Sequence, residues 1–178
     1  MIPLSRFALR TRGKELTMTQ DEIFMARALA LAAQAAREGD EPFGAVLVRD
    51  GRIVAEGKNR IHTRHDPTYH AELGLVRDYC AASGVTELSG CTLYSSCEPC
   101  FMCAGALVWA RLGRLVFGAY DRDYCAIRGF VPNDCSKLIF DLSPAAPEAA
   151  GGVLRAEGVA LLESYFDPAR GALPARRP

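Results

Sequence analysis

Three things are missing from this sequence of 178 residues, and each narrows the field. There is no excess of either charge: 21 Lys and Arg stand against 21 Asp and Glu, for a net charge of zero. Domains that hold long nucleic acid usually carry a basic surplus, so the balance counts against a large RNA or DNA substrate. No apolar run reaches the ~20 residues that a membrane-spanning helix needs. The N-terminus lacks a continuous apolar segment ahead of a small-residue cleavage site, the mark of a secretory leader. What is present is ordinary for a soluble globular protein, with 49% hydrophobic and 24% charged residues. The length suits one domain with a real core.

Seven cysteines in a chain without a leader read as reduced thiols rather than a disulfide framework, and the expected location is the cytoplasm. Residues 1–17 include Arg6, Arg10, Arg12 and Lys14 and read as a flexible extension, because Met18 opens a well-formed helix. The expected domain spans 18–167, and "PARGALPARRP" at 168–178 reads as a disordered tail.

Along the chain, "TQDE" at 19–22 fits a capping box, and the apolar spacing behind it predicts a helix to about Arg37, ended by Gly39. Asp50-Gly51 between two apolar runs predicts a hairpin with strands at 43–49 and 52–56. Pro67 suits a helix start with Asp66 as its cap, giving a helix over 67–82. Residues 91–96 predict a strand, Pro99 the start of another helix, and 114–120 a further strand. Residues 121–135 read as a loop, followed by a helix at 136–142, a linker to 152, a strand at 153–155 and a helix at 157–166. A hairpin followed by strand–helix alternation implies a three-layer α/β/α domain on a mixed sheet of about five strands, with helices on both faces.

Two motifs carry chemistry: "HAE" at 70–72 and "CEPCFMC" at 97–103. Zinc favours imidazole and thiolate ligands, and catalytic sites keep three protein ligands and leave the fourth position open. Cys100 and Cys103 are three apart at a helix start, where side chains share a face and the helix N-terminus favours thiolate. His70 lies in the first turn of its own helix, so two helix starts can meet over one ion. Glu72, two residues on, points beside the metal rather than at it. There it can take a proton from the metal's water and deliver it to a substrate nitrogen. Taken singly, the Cys pair could be a redox motif and the His an ordinary polar residue.

H-x-E with P-C-x-x-C is the signature of zinc deaminases of nucleobases, and the chain resembles the cytidine deaminase-like superfamily from about residue 19 to 120. The resemblance implies that His70, Cys100 and Cys103 hold one zinc ion, that Glu72 shuttles protons, and that the enzyme is a homodimer. "PFGAVLVRDG", "HDPTYHAE" and "CAGAL" are similar to both bacterial guanine deaminase and bacterial tRNA adenosine deaminase. "TLYSSCEPC" and "WAR" look more like the former, and "RLVFGAYD" and "ALLESYF" more like the latter. Asn59 matches an asparagine that contacts the purine or its sugar. Asp134 resembles a base-binding aspartate of guanine deaminase, although two residues are inserted ahead of it. Phe43 and Trp109 read as apolar pocket or core residues. Tyr69 replaces a small residue and would restrict the pocket. Tyr165 or Phe166 could close the pocket, from this chain or a partner subunit, or could pack in the core. Cys80, Cys91, Cys97, Cys125 and Cys135 read as thiols outside the ligand set. The expected substrate is a nucleobase, guanine first. The alternatives are a tRNA adenosine and, in a different class, a zinc-stabilised fold that binds a nucleoside without turnover.

Overall fold

The computed structural model describes residues 17–167. The expected N-terminal extension, apart from Thr17, and the expected tail at 168–178 lie outside the described residues. Helix α1 (Gln20–Glu38) begins at Thr19, whose side chain accepts from the backbone of Glu22 while Glu22 reaches back to the cap. It ends at Gly39, whose φ of 92° is the left-handed conformation that glycine adopts without strain. Strands β1 (Gly44–Arg49) and β2 (Arg52–Lys58) form a hairpin across Asp50 and Gly51. Both turn residues have positive φ, 51° and 68°, as a two-residue turn of matching twist requires.

The remaining elements are α2 (Ala71–Ser83), β3 (Cys91–Cys97), α3 (Phe101–Trp109), β4 (Arg114–Ala119), α4 (Asp121–Arg128), α5 (Cys135–Asp141), β5 (Glu148–Gly151) and α6 (Arg155–Phe166). The sheet order is β2-β1-β3-β4-β5. β1 is antiparallel to both β2 and β3, and β3, β4 and β5 run parallel. Mixed sheets of this kind need both faces covered.

Strand alternation builds two cores. Val46, Val48, Tyr94 and Val116 face α1 and pack on Phe24, Met25, Ala28 and Leu31. Ala45, Leu47, Leu93 and Leu115 point the other way, onto Ala71, Leu75 and Val76 of α2 and Leu107 of α3. The result is the expected three-layer α/β/α arrangement. Helix α2 lies close on the sheet because Gly57 of β2 has no side chain: a Cβ there would stand 2.5 Å from the Ala71 carbonyl oxygen. Among the described residues, no helix is long and apolar enough to cross a membrane.

Three local expectations give way. α2 starts at Ala71 rather than at 67, because Asp66 folds the chain ahead of it into a turn. The Asp66 carboxylate accepts from the Thr68 backbone N–H (2.8 Å) and hydroxyl (2.6 Å), and its carbonyl accepts from the Tyr69 N–H at 3.0 Å. Residues 121–128, expected to be loop, form α4; the Asp123 carboxylate accepts from the Tyr120 N–H at 3.0 Å and stabilises the first turn. The last strand lies at 148–151 rather than 153–155, where the apolar Val153 instead packs beside the α1 core.

Candidate active site

The shift in α2 places His70 at its N-cap, with extended backbone (φ −69°, ψ 158°), and Cys100 holds the same position on α3 (φ −67°, ψ 173°). Cys103 lies in the first turn of α3 and is fully buried. The ligand atoms of His70, Cys100 and Cys103 all lie within 4.8 Å of one another. The Cys100 thiol is brought well down, first by the hydrogen bond from the Cys103 thiol and then by His70, against the effect of burial. His70 is raised above the ordinary imidazole value by its contact with Cys100, at 3.6 Å. The contact with Cys100, and then burial, push the Cys103 thiol up, and its Sγ lies 3.6 Å from Glu72 Oε2. Two thiols and an imidazole converging with one thiol already acidic make a donor set that fits zinc, which binds deprotonated thiolates and neutral imidazole.

Glu72 sits under this group and is almost fully buried. Its Oε1 accepts from the Ser95 hydroxyl at 2.9 Å, and its Oε2 faces Cys103. Burial, and then the charge of Cys100, push its carboxyl above the usual range. Asn59 is 0% exposed, and its Oδ1 accepts from the Ile61 N–H at 3.1 Å. Its Nδ2 has no hydrogen-bond partner among the described residues. Buried amide nitrogens are rarely left unpaired, and such an exception calls for a reason. The Asn59 N–H donates to the Phe43 carbonyl at 2.9 Å, joining the two residues at the end of the β1–β2 pair.

The Phe43 ring meets Tyr124 at 5.8 Å and Phe166 at 6.3 Å between centroids. Phe166 comes from α6 of the same chain, and Tyr165 packs on it at 4.8 Å. These rings border Cys97 and Leu162 in one apolar cluster. Cys97 is buried, and burial pushes its thiol well up, so it stands as a wall residue beside the metal group.

Three residues read from the sequence as pocket members make other contacts in this chain. Trp109 ends α3 with 88% of its surface exposed, outside the core. Tyr69 turns away from the ligands: its ring covers Gly74, its hydroxyl donates to Asp78, and Arg77 lies 4.5 Å from its centroid. It lines a small cavity of about 150 Å³ between β2 and α2 that none of the three ligand residues lines. Asp134 caps α5 with a φ of 44° and lines a cleft of about 440 Å³ with Glu98, Arg122 and Lys137. Neither the ligands nor Asn59 nor Phe43 line that cleft.

Sequence reasoning missed three residues. Ser95 was one of a Ser-Ser pair with nothing to single it out. Tyr124 was hidden in the segment read as loop. Asp40, fully buried, accepts from the His62 and Thr63 N–H groups (2.8 and 3.0 Å) and the Thr63 hydroxyl (2.6 Å), pinning the loop that follows Asn59. An acid directly after a helix-ending glycine was its one signal.

An imidazole and two thiols at two helix starts, against a mixed sheet and over a buried carboxylate, define the class as a zinc hydrolase. Comparison with known proteins makes the class specific. The family described as "Cytidine and deoxycytidylate deaminase zinc-binding region" matches residues 18–119, and the chain belongs to it. It is a zinc-dependent hydrolytic deaminase acting on a C–N bond. The tRNA-specific adenosine deaminase of Bacillus subtilis is 38% identical over 161 residues, covering 90% of this chain and 97% of that protein. The guanine deaminase of the same organism is 47% identical over 110 residues, covering 61% of this chain and 70% of that protein. The structure of guanine deaminase from Nitrosomonas europaea superposes with a TM-score of 0.73 at 29% identity, covering 82% of this chain and 84% of that one.

Proposed function

We propose that the enzyme deaminates a free nucleobase, guanine first. The observation that carries this reading is the buried, unpaired Nδ2 of Asn59. With Oδ1 committed to Ile61, Asn59 offers its substrate a donor. Guanine presents two adjacent acceptors, O6 and N7, on one edge, whereas adenine presents N7 beside an amino donor. The amide nitrogen carries two hydrogens, for which guanine offers two acceptors and adenine one, and a buried group left unpaired with the wrong ring discriminates against it. The 47% identity to a guanine deaminase and the balanced charge point the same way.

In this reading His70, Cys100 and Cys103 hold zinc, which when bound supplies an acidified water. Glu72 would take one proton from that water at Oε2, the oxygen facing the ligands, and hand it to a ring nitrogen; it would then take the second, from the hydroxyl added to the ring carbon, and hand it to the departing amine. Its buried position keeps bulk water from competing for these protons. Phe43, with Tyr124 and Phe166 beyond it, offers flat apolar surface to a planar ring. The assembly is a homodimer, as the resemblance implies, which light scattering on the purified protein checks.

A second reading is deamination of a tRNA adenosine. The match to the tRNA enzyme over 90% of the chain favours it, as does the gathering of Arg60 and Arg64 on the Tyr69 ring beside His70. Ammonia release is measured from a panel of guanine, adenine, cytosine and amino-triazines, and inosine formation in an anticodon stem-loop. Release from guanine above all others supports the first reading; inosine with inert free bases overturns it.

A further inference from the structure

Ser95 has 1% of its surface exposed, and no part of the mechanism above uses it. It lies on β3 opposite Ala45, on the face that α2 covers. Its Oγ stands 2.9 Å from Glu72 Oε1 and 2.7 Å from the Cys97 carbonyl oxygen. Both neighbours accept, yet a hydroxyl has one hydrogen and two lone pairs. It therefore donates to one acceptor at a time. Aimed at Glu72, that hydrogen keeps the buried Oε1 satisfied and fixes it in place, which matters where an orphaned buried polar group is costly. Oε2, on the Cys103 side, stays free to work.

We propose that Ser95 is the positioning residue for Glu72, holding Oε1 in place so that Oε2 keeps its aim at the ligand group. The inference rests on the reading of Glu72 as the proton carrier.

The test compares Ser95→Ala, Ser95→Cys and Ser95→Thr in the zinc-loaded enzyme, on whichever base of the panel the parent turns over fastest. Loss of an outer-shell partner costs about 10- to 100-fold in activity. We expect kcat to fall by that factor in Ser95→Ala and Ser95→Cys, with KM within about twofold because the ring never touches Ser95. Zinc content and melting temperature should stay near the parent values, and Ser95→Thr, which restores the hydroxyl, should recover most of kcat. An unchanged kcat in Ser95→Ala overturns the inference. So does a joint loss of kcat, zinc and thermal stability that Thr does not restore, which would mark Ser95 as structural. Glu72→Gln is measured in parallel. If it stays active, the proton-carrier reading falls and the Ser95 inference with it. If it is dead while Ser95→Ala is normal, the reading stands and the inference alone is lost.

Discussion

Replacing Gly74 by Ala puts a methyl group where the Tyr69 ring lies. The new Cβ would stand 2.7 Å from Tyr69 Cε1 and 2.9 Å from Cδ1, so the ring has to shift. Overpacking of this kind costs about 1–3 kcal/mol. A displaced ring also loosens the hydroxyl bond to Asp78, which contributes at the low end of its class, about 1 kcal/mol, because Asp78 is more than half exposed. Against this, alanine is the better helix former by about 0.8–1.0 kcal/mol. The net expectation is a loss of about 1–3 kcal/mol, read as a lower urea midpoint with an unchanged slope. In a Tyr69→Ala background the methyl meets no ring, so the same substitution should be neutral or stabilising by up to about 1 kcal/mol. A sign change between the two backgrounds is the signature of Tyr69 packed on α2. Equal destabilisation in both would refute the placement and return Tyr69 to the list of pocket residues.

Asp21 accepts from both Arg114 Nη atoms (2.9 and 2.8 Å) and from the Tyr94 hydroxyl (2.7 Å), tying α1 to the sheet. Arg114 chiefly holds its carboxyl below the ordinary 3.8, so its contribution is complete above that value and is lost as the pH falls below it. Asp21→Asn should cost about 1 kcal/mol at neutral pH and make thermal stability less sensitive to acid below that point, as melts across pH will show. Stripping zinc with a chelator should lower the melting temperature, and adding it back should restore one ion per chain. At 1,000 times the dissociation constant the stabilisation amounts to about 4 kcal/mol, and an unchanged melt would remove His70, Cys100 and Cys103 as ligands.

The parts of the fold legible in the sequence were those written in strong local signals. The Thr19–Glu22 box, Gly39 and Asp50-Gly51 each satisfy a specific backbone need, so they marked their elements correctly. The metal group was legible because two motifs each bring their ligands to a helix start. Boundaries decided by side-chain competition were harder: Pro67 allows a helix to begin, but the Asp66 carboxylate captures Thr68 first and delays it to Ala71. α4 is polar and short, and its stability comes from Asp123, which holds the Tyr120 N–H and pairs with Arg155 across 32 residues of chain. No local pattern announces such a pairing. Directions were harder still. Tyr69 adjoins a ligand in sequence, yet extended backbone at His70 sends its side chain to the far side of α2, while Ser95, 23 residues from Glu72, touches it.

Ammonia release by the zinc-loaded parent and by Glu72→Gln, with zinc measured in both, tests the account most directly. The parent should release ammonia from guanine, and the variant should keep its zinc and its fold while losing turnover by at least about 100-fold, the scale of general acid–base catalysis. A variant as active as the parent, or a zinc-replete parent that leaves every base and the stem-loop intact, would contradict it.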